Sequence, residues 1–303
     1  MDTPPQRKIG LALGGGGARG LAHLGVMQYL EEHGLAIHCI AGTSMGAITG
    51  AAIASGNWRD LAEGYARLDW IQLLPMVDIT FSGSGLLDGR KALAFLRQHI
   101  RVQHIEELAI PYAAVAANLT LRQKTVFTRG NLFHAMRASF AIPGIFTPVI
   151  EADGSVLVDG GIVELVPVLT ARDLGATDII AVEVSGILTR PNDQHTDDTP
   201  LIAKLHEQLK KFEPLRGTDW GKQILNWFEQ TIESEQQQPP GLFEIMREAN
   251  DFMQAEITRM QLAAHPPRWL ITPDVHEFSI WDYHRAEEII ARGYTAAQQQ
   301  FNK

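Results

Sequence analysis

The residues best suited to chemistry in this chain are a serine and an aspartate, each placed beside glycines. Residues 42–46 read Gly-Thr-Ser-Met-Gly, a G-x-S-x-G segment with Ser44 at its centre. In a nucleophile elbow, this pattern puts the serine on a sharp turn between a strand and a helix. The segment predicts that Ser44 attacks an acyl group; the alternative is that Ser44 only caps the following helix.

The segments on either side of this serine favour the elbow. Residues 37–41 read as a short buried strand, and residues 47–54 read as a helix of small side chains. Such a helix can press close against a sheet, as an elbow requires. Gly42 and Gly46 would remove the Cβ atoms that would otherwise block the strained backbone.

The aspartate lies far downstream, at the end of another predicted strand. Residues 155–158 are mostly apolar, and Asp159 follows them directly, with Gly160 and Gly161 next. A carboxylate at a strand terminus beside a flexible turn can approach the end of another strand. Taken alone, Asp159 could equally be an ordinary Asp-Gly turn residue.

A glycine-rich loop at residues 14–20 separates a predicted strand over 8–13 from a predicted helix between Leu21 and about Gly34. Because consecutive glycines expose N–H groups at a helix N-terminus, the loop suits negative charge. Near a serine nucleophile, that charge would be the oxyanion of an acyl-transfer intermediate. Arg19 has three interpretations: it fixes the loop, attracts an anionic head group, or lies on the surface.

The same loop raises the alternative of a nucleotide site. Gly15, Gly17 and Gly20 match the G-x-G-x-x-G pattern of dinucleotide-binding proteins. That site expects an acidic residue at the end of the second strand, where this chain instead reads Ala-Gly-Thr-Ser at 41–44. No Lys-Ser/Thr pair closes the loop, so a P-loop is disfavoured as well.

The three motifs together resemble the bacterial patatin-like phospholipase family. Residues 137–148 resemble the family's segment before the aspartate strand, and residues 269–293 resemble the C-terminal part of its bacterial members. The resemblance covers about residues 8–185 strongly and about 240–297 more weakly.

This resemblance implies a Ser-Asp dyad, with Ser44 as the nucleophile and Asp159 as its general base. It implies an oxyanion hole formed by N–H groups of Gly15–Gly17, with the amide of Met45 as a further donor. No metal and no cofactor are expected, because an aspartate base and backbone N–H donors suffice for such a reaction. The matching motif positions with supporting roles are Arg19, Gly20, Gly42, Met45, Gly46, Gly160 and Gly161.

An aspartate base needs an unusual setting, because the ordinary pKa of Asp is about 4. We therefore expect a partly desolvated site in which the pKa of Asp159 is raised. The chain has 11 histidines, yet none has the strand-end, glycine-flanked context of Asp159. His23 and His134 are predicted to be helix residues rather than bases.

Alternation of strand-like and helix-like segments up to about residue 185 predicts an α/β fold. We expect a mainly parallel central sheet flanked by helices, in the patatin-like three-layer α/β/α arrangement, with a helical insertion. The turn at 118–120 predicts an antiparallel pair. The predicted strands are 8–13, 37–42, 110–118, 123–128, 155–158, 178–184 and 268–272.

We expect a single domain over residues 1–303, with a core of 8–185 plus 242–303 and an insertion over 189–241. Within the insertion, residues 189–200 are polar and turn-rich. Residues 201–232 carry apolar residues at helical spacing.

Two interpretations of 201–232 stay open: a cap that packs on the core or on another subunit, and a mobile lid that touches a lipid surface. A second helix is predicted from Leu242 to about Ala264.

Composition narrows the protein class further. The net charge of −9 argues against nucleic-acid binding, and the one cysteine, Cys39, excludes an internal disulfide. The chain shows neither an apolar signal region nor an apolar run of membrane-spanning length. A cytoplasmic protein is expected, with peripheral membrane contact as an open possibility; the oligomeric state is not predicted.

The leading functional hypothesis is a serine hydrolase that cleaves carboxylic esters or thioesters of lipids, such as phospholipids or lysophospholipids, through an acyl-enzyme. The second is a non-catalytic regulatory or scaffold protein that retains the fold. The third is a nucleotide-binding oxidoreductase, disfavoured by the missing acidic residue.

Overall fold

A computed structural model describes residues 7–73, 78, 85–186, 188 and 242–302 of the chain. The strands in these residues are β1 Ile9–Leu13, β2 Ile37–Thr43, β3 Gly85–Leu87, β4 Tyr112–Asn118, β5 Gln123–Phe127, β6 Gly144–Phe146, β7 Val149–Ile150, β8 Val156–Asp159, β9 Asp178–Val182 and β10 Trp269–Ile271. The predicted strands are all present, most of them shortened by one or two residues.

Helices fill most of the described connections between these strands. They are α1 Ala22–Glu32, α2 Met45–Ala54, α3 Trp58–Ala66, α4 Trp70–Leu73, α5 Arg90–His99, α6 Leu132–Ser139, α7 Gly161–Glu164, α8 Val168–Asp173, α9 Leu242–Ala264 and α10 Ala286–Phe301. A 3-10 turn over Gly17–Leu21 leads into α1. The helix predicted from Leu242 to about Ala264 is confirmed by α9.

The central sheet has the strand order β10-β9-β1-β2-β4-β8-β7, and β5 pairs with β4 off this path. Strands β10, β9, β1, β2 and β4 are mutually parallel. Strands β5 and β8 both run antiparallel to β4, and β7 runs antiparallel to β8. The predicted α/β class and the predicted antiparallel pair are therefore confirmed, although the sheet is mixed on one side.

The sheet is covered on both faces, as the three-layer prediction requires. Side chains of successive strand residues point to opposite faces. Leu11 and Leu13 of β1 belong to the main apolar cluster, which also contains residues of α1 and α2. Ala12, between them, belongs to a second cluster with Val168 and Ala171 of α8.

The register around β4 decides where the chemically important residues lie. Tyr112 to Val115 pair with β2, and Ala116 to Asn118 pair with β8. Since β5 pairs with Ala114 to Asn118 along the opposite edge, β2 and β8 share one edge of β4. They run toward each other along it, and they end opposite the successive residues Val115 and Ala116.

Helices α1 and α10 cross at two glycines. A Cβ atom on Gly25 would lie 1.9 Å from the Ile290 carbonyl oxygen, and one on Gly293 would lie 1.9 Å from the Ala22 carbonyl oxygen. The backbones of the two helices are therefore in direct contact at this crossing. This contact fixes α10 against the helix that follows the glycine loop.

The insertion predicted over 189–241, including the cap or lid at 201–232, lies outside the described residues. The single-domain organisation stays a prediction for the same reason. Within the described part of the chain, no helix combines the length and the hydropathy that a membrane crossing needs.

We expect Gly25→Ala to lower the free energy of unfolding by about 1–3 kcal/mol, because the added methyl group must push α10 away from α1. Urea titration followed by circular dichroism measures this change. Gln298→Ala, on an exposed position of α10, is the matched control and should stay within about 0.5 kcal/mol of wild type. Equal stability of Gly25→Ala and the control would contradict the close crossing.

Candidate active site

Ser44 lies on a strained turn between β2 and α2. Its backbone angles are φ 55° and ψ −124°, a conformation that side chains with a Cβ rarely adopt. Its side chain is nearly enclosed, since the residue is 5% exposed. Such strain persists only where the surroundings over-determine the backbone, and it is concentrated at functional sites.

The two glycines of the G-x-S-x-G segment allow this turn by close approach of backbones. A Cβ atom on Gly42 would lie 2.2 Å from the Gly46 carbonyl oxygen. A Cβ atom on Gly46 would lie 2.0 Å from the Leu13 carbonyl oxygen of β1. The start of α2 therefore presses directly against β1 and β2, which a larger residue at either position would prevent.

Ser139, the last residue of α6, holds the backbone of the turn. The Ser44 N–H donates to Ser139 Oγ at 2.9 Å. The Ser139 hydroxyl in turn donates to the Val115 carbonyl oxygen of β4 at 2.6 Å. No sequence motif predicts a role for Ser139; its position in the 137–148 segment is the one signal that points to it.

Asp159 is the last residue of β8, and its carboxyl faces the hydroxyl of Ser44. Its N–H donates to the Ala141 carbonyl oxygen at 2.9 Å, and its Oδ1 accepts from the Gly161 N–H at 2.7 Å. A Cβ atom on Gly160 would lie 2.3 Å from the Val115 carbonyl oxygen, so the turn after the aspartate also lies against β4. Asp159 is 6% exposed.

Burial raises the pKa of Asp159 from its ordinary value of 3.8 to about 6. Desolvation is the main cause, and hydrogen-bonding contacts from the Ser44 hydroxyl and the Gly161 N–H oppose it. Among the described residues, no donor meets Oδ2 with good hydrogen-bond geometry. The contact between Ser44 and Asp159 is therefore looser than a well-directed hydrogen bond, as is common in catalytic sites without substrate.

The glycine loop lies against Ser44, but its amides are used unequally. A Cβ atom on Gly15 would lie 3.1 Å from the Ser44 Cβ atom. The N–H of Gly15, predicted as an oxyanion donor, instead donates to the Leu165 carbonyl oxygen at 3.1 Å. Gly16 and Gly17 donate to no protein acceptor within the described residues, and the same holds for Met45. These three amides are the donors left for a ligand.

Arg19 fixes the loop. It is 2% exposed; its Nε donates to the Phe278 carbonyl oxygen at 2.5 Å, and its Nη1 donates to the Ser185 carbonyl oxygen at 2.9 Å. The alternative of a surface arginine is therefore wrong, because the guanidinium is buried and bonded to backbone; attraction of an anionic head group stays a prediction. Gly20 completes the contact with the elbow, since a Cβ atom there would lie 2.3 Å from Met45 Cγ.

The two histidines considered as bases lie in helices, His23 in α1 and His134 in α6. His23 is fully buried with its Nε2 2.8 Å from the Gly14 carbonyl oxygen, and burial lowers its pKa to about 4. It is therefore neutral near pH 7 and supports the glycine loop. The His134 Nε2 instead pairs with Glu151 at 2.8 Å. No cluster of three or more His, Cys, Asp or Glu suited to a metal occurs in the described ranges.

The mixed sheet, the glycine loop and the strained serine turn define an α/β protein with the geometry of a nucleophile elbow. The family model of the patatin-like phospholipases matches residues 11–172, and the chain belongs to this family.

Relatives cover the chain to different extents. An uncharacterized NTE family protein of Mycobacterium tuberculosis is 32% identical over 330 residues, which cover 96% of this chain and 91% of that protein. Human patatin-like phospholipase domain-containing protein 6 is 34% identical over 58% of this chain and 13% of its own length. The crystal structure of VipD from Legionella pneumophila aligns with a TM-score of 0.47 and 14% identity, covering 99% of this chain and 67% of that one.

The buried carboxyl predicts a pH-dependent effect of Asp159→Asn on stability. The stability that protonated Asp159 contributes is fully present below about pH 4 and is lost as the pH rises through about 6. Relative to wild type, Asp159→Asn should gain roughly 3 kcal/mol in free energy of unfolding between pH 4 and pH 7.5.

Urea titrations at the two pH values measure this change. Asp153→Asn is the control, because Asp153 is exposed and hydrogen bonds to Ser155 lower its pKa instead. A relative stability of Asp159→Asn that does not change with pH would contradict a raised pKa at this position.

Proposed function

We propose that this protein is a serine hydrolase that cleaves carboxylic esters or thioesters of lipids through an acyl-enzyme on Ser44, with Asp159 as the base. The observation that carries the proposal is the meeting of β2 and β8 on one edge of β4, which brings the Ser44 hydroxyl to the Asp159 carboxyl. Membership of the patatin-like phospholipase family supports lipid esters as the substrate class.

The first half-reaction forms the acyl-enzyme. Ionised Asp159 takes the proton of the Ser44 hydroxyl while Oγ bonds to the acyl carbon, and the carbonyl electron pair moves onto oxygen. The N–H groups of Gly16, Gly17 and Met45 would stabilise this oxyanion. The intermediate then expels the alcohol or thiol, which leaves with the proton from Asp159.

The second half-reaction releases the acid. Asp159 takes a proton from water as the water oxygen bonds to the acyl carbon, and the same amides hold the second oxyanion. The bond to Ser44 Oγ then breaks, and Ser44 regains its proton. These steps need no metal and no cofactor, because the carboxylate and the backbone amides carry the proton and the charge.

The other two hypotheses have less support. A dinucleotide loop would present its N–H groups to phosphate, yet the Gly14 and Gly15 amides are bonded to the carbonyl oxygens of Val182 and Leu165. A scaffold protein has no need of a serine at φ 55° facing a buried aspartate. If the wild-type protein neither reacts with a fluorophosphonate probe nor hydrolyses esters, the scaffold hypothesis would be favoured instead.

Helix α9, which contacts α7 through Gln261, exposes apolar side chains that would suit a lipid substrate. Gln261 of α9 donates to the Val163 carbonyl oxygen of α7 at 2.8 Å, and α7 begins two residues after Asp159. Large exposed apolar patches commonly mark contacts with ligands or membranes. Apolar side chains of α9 that are more than half exposed are Ile245, Met246, Phe252, Met253 and Met260. Cytoplasmic residence and peripheral membrane contact remain predictions.

A fluorophosphonate probe tests the nucleophile. Mass spectrometry of the treated protein should find the adduct on Ser44, and Ser44→Ala should neither be labelled nor hydrolyse a p-nitrophenyl acyl ester. Asp159→Asn should slow labelling and turnover by about 100-fold or more, because the general base is lost with little change in shape. Ser55→Ala and Asp153→Asn, both away from the dyad, are the matched controls. Labelling of Ser44→Ala at the wild-type rate would show that Ser44 is not the nucleophile. Near-normal turnover by Asp159→Asn would show that Asp159 is not the base.

The pH profile tests the base separately. Since only the ionised carboxyl can accept the serine proton, kcat/KM should rise with pH and level off, with a midpoint at about 6. The measurement uses a water-soluble thioester between about pH 4.5 and 8. A rate that is already level at pH 4.5 would mean that the pKa of Asp159 is not raised, and a midpoint well above 6 would mean that another group limits the reaction.

A further inference from the structure

Ser139 is a fully buried hydroxyl that the proposed reaction does not use directly. It is 0% exposed at the end of α6, between the serine turn and β4. Its oxygen accepts from the Ser44 N–H at 2.9 Å, and its hydrogen goes to the Val115 carbonyl oxygen at 2.6 Å. Because its donor capacity is used by Val115, a lone pair is held toward the Ser44 amide.

The backbone around Ser139 also holds the aspartate. The Gly160 N–H approaches the Ser139 carbonyl oxygen at 3.4 Å, and the Asp159 N–H donates to the Ala141 carbonyl oxygen at 2.9 Å. Residues 139–141 therefore contact both the turn that carries Ser44 and the turn that follows Asp159. Val115, the residue bonded by the Ser139 hydroxyl, pairs with Thr43 just before Ser44.

Two other buried groups depend on this hydroxyl. The Ser44 N–H lies at a φ of 55°, outside any helix or strand ladder, so it needs a side-chain acceptor. The Val115 carbonyl oxygen faces the point where β2 and β8 both end. An apolar side chain at position 139 would leave a donor and an acceptor without their bonds in a water-poor interior.

We propose that Ser139 is a positioning residue that holds the Ser44 backbone at the angle and distance at which its hydroxyl meets Asp159. This inference rests on the proposed hydrolase function. Without the hydroxyl, the turn is free to relax from its strained conformation, which moves Ser44 Oγ relative to both the base and the oxyanion donors. Misplacement of a catalytic group by about 1 Å can slow a reaction by about 100-fold.

The test compares Ser139→Ala and Ser139→Cys with wild type, and uses Thr49→Val as the matched control. Thr49 is also a fully buried hydroxyl on α2, but it donates to the Met45 carbonyl oxygen and does not touch the Ser44 amide. The readouts are the rate constant of fluorophosphonate labelling at Ser44, kcat and KM for a soluble thioester, and the melting temperature. All rates are taken well below the lowest melting temperature.

We expect Ser139→Ala to lower kcat and the labelling rate by about 10- to 100-fold with KM within about twofold. Ser139→Cys, which keeps a weaker donor and acceptor, should fall between Ala and wild type. Thr49→Val should label within about twofold of wild type even if it melts earlier.

A folded Ser139→Ala that labels at the wild-type rate would overturn the inference, as would a Thr49→Val variant slowed to the same degree. If Ser139→Ala does not fold, Ser139→Cys decides by the same criterion. Absence of labelling and turnover in wild type would instead overturn the proposed function, so the two failures are distinguishable.

Discussion

Two strands that run toward each other along one edge of β4 determine where the serine and the aspartate lie. Thr43, the last residue of the parallel strand β2, pairs with Val115. Asp159, the last residue of the antiparallel strand β8, pairs with Ala116. Strand pairing fixes the register of these residues, because a slip by one residue would turn every side chain of the strand to the opposite face. The sheet therefore sets the separation between Ser44 and Asp159. The glycine loop, α2 and the end of α6 place further backbone groups around these two residues.

Most backbone groups around this point are already bonded within the protein, which leaves few for chemistry. The amides of Gly14, Gly15, Ala18 and Ser44 all donate to protein acceptors. Arg19 holds the loop by bonding to backbone more than 150 residues away in sequence. These bonds hold the loop in place around the amides of Gly16 and Gly17, and the proposed oxyanion hole would need donors held in this way.

The sequence predicts local features of this arrangement well and distant ones poorly. Strand periodicity and apolar runs locate β1, β2 and β4, and the glycines of the elbow are required by contacts between neighbours, as at Gly42 and Gly46. The direction of β8 cannot be read locally, because it depends on which edge of β4 is free. The partners of Arg19, Gly15 and Ser139 cannot be predicted from the sequence for a similar reason, because each bond joins segments far apart in the chain.

The raised pKa of Asp159 explains how one carboxyl could serve both half-reactions without a histidine. A base with an ordinary aspartate pKa near 4 would accept the serine proton poorly, whereas a much stronger base would not return it to the leaving group. At about 6, the carboxyl is mostly ionised near neutral pH and its conjugate acid still protonates an alkoxide readily. Desolvation destabilises the ionised carboxyl in the folded protein and thereby raises its basicity. The same desolvation lowers the free energy of unfolding near neutral pH, so the stronger base comes at a cost in stability.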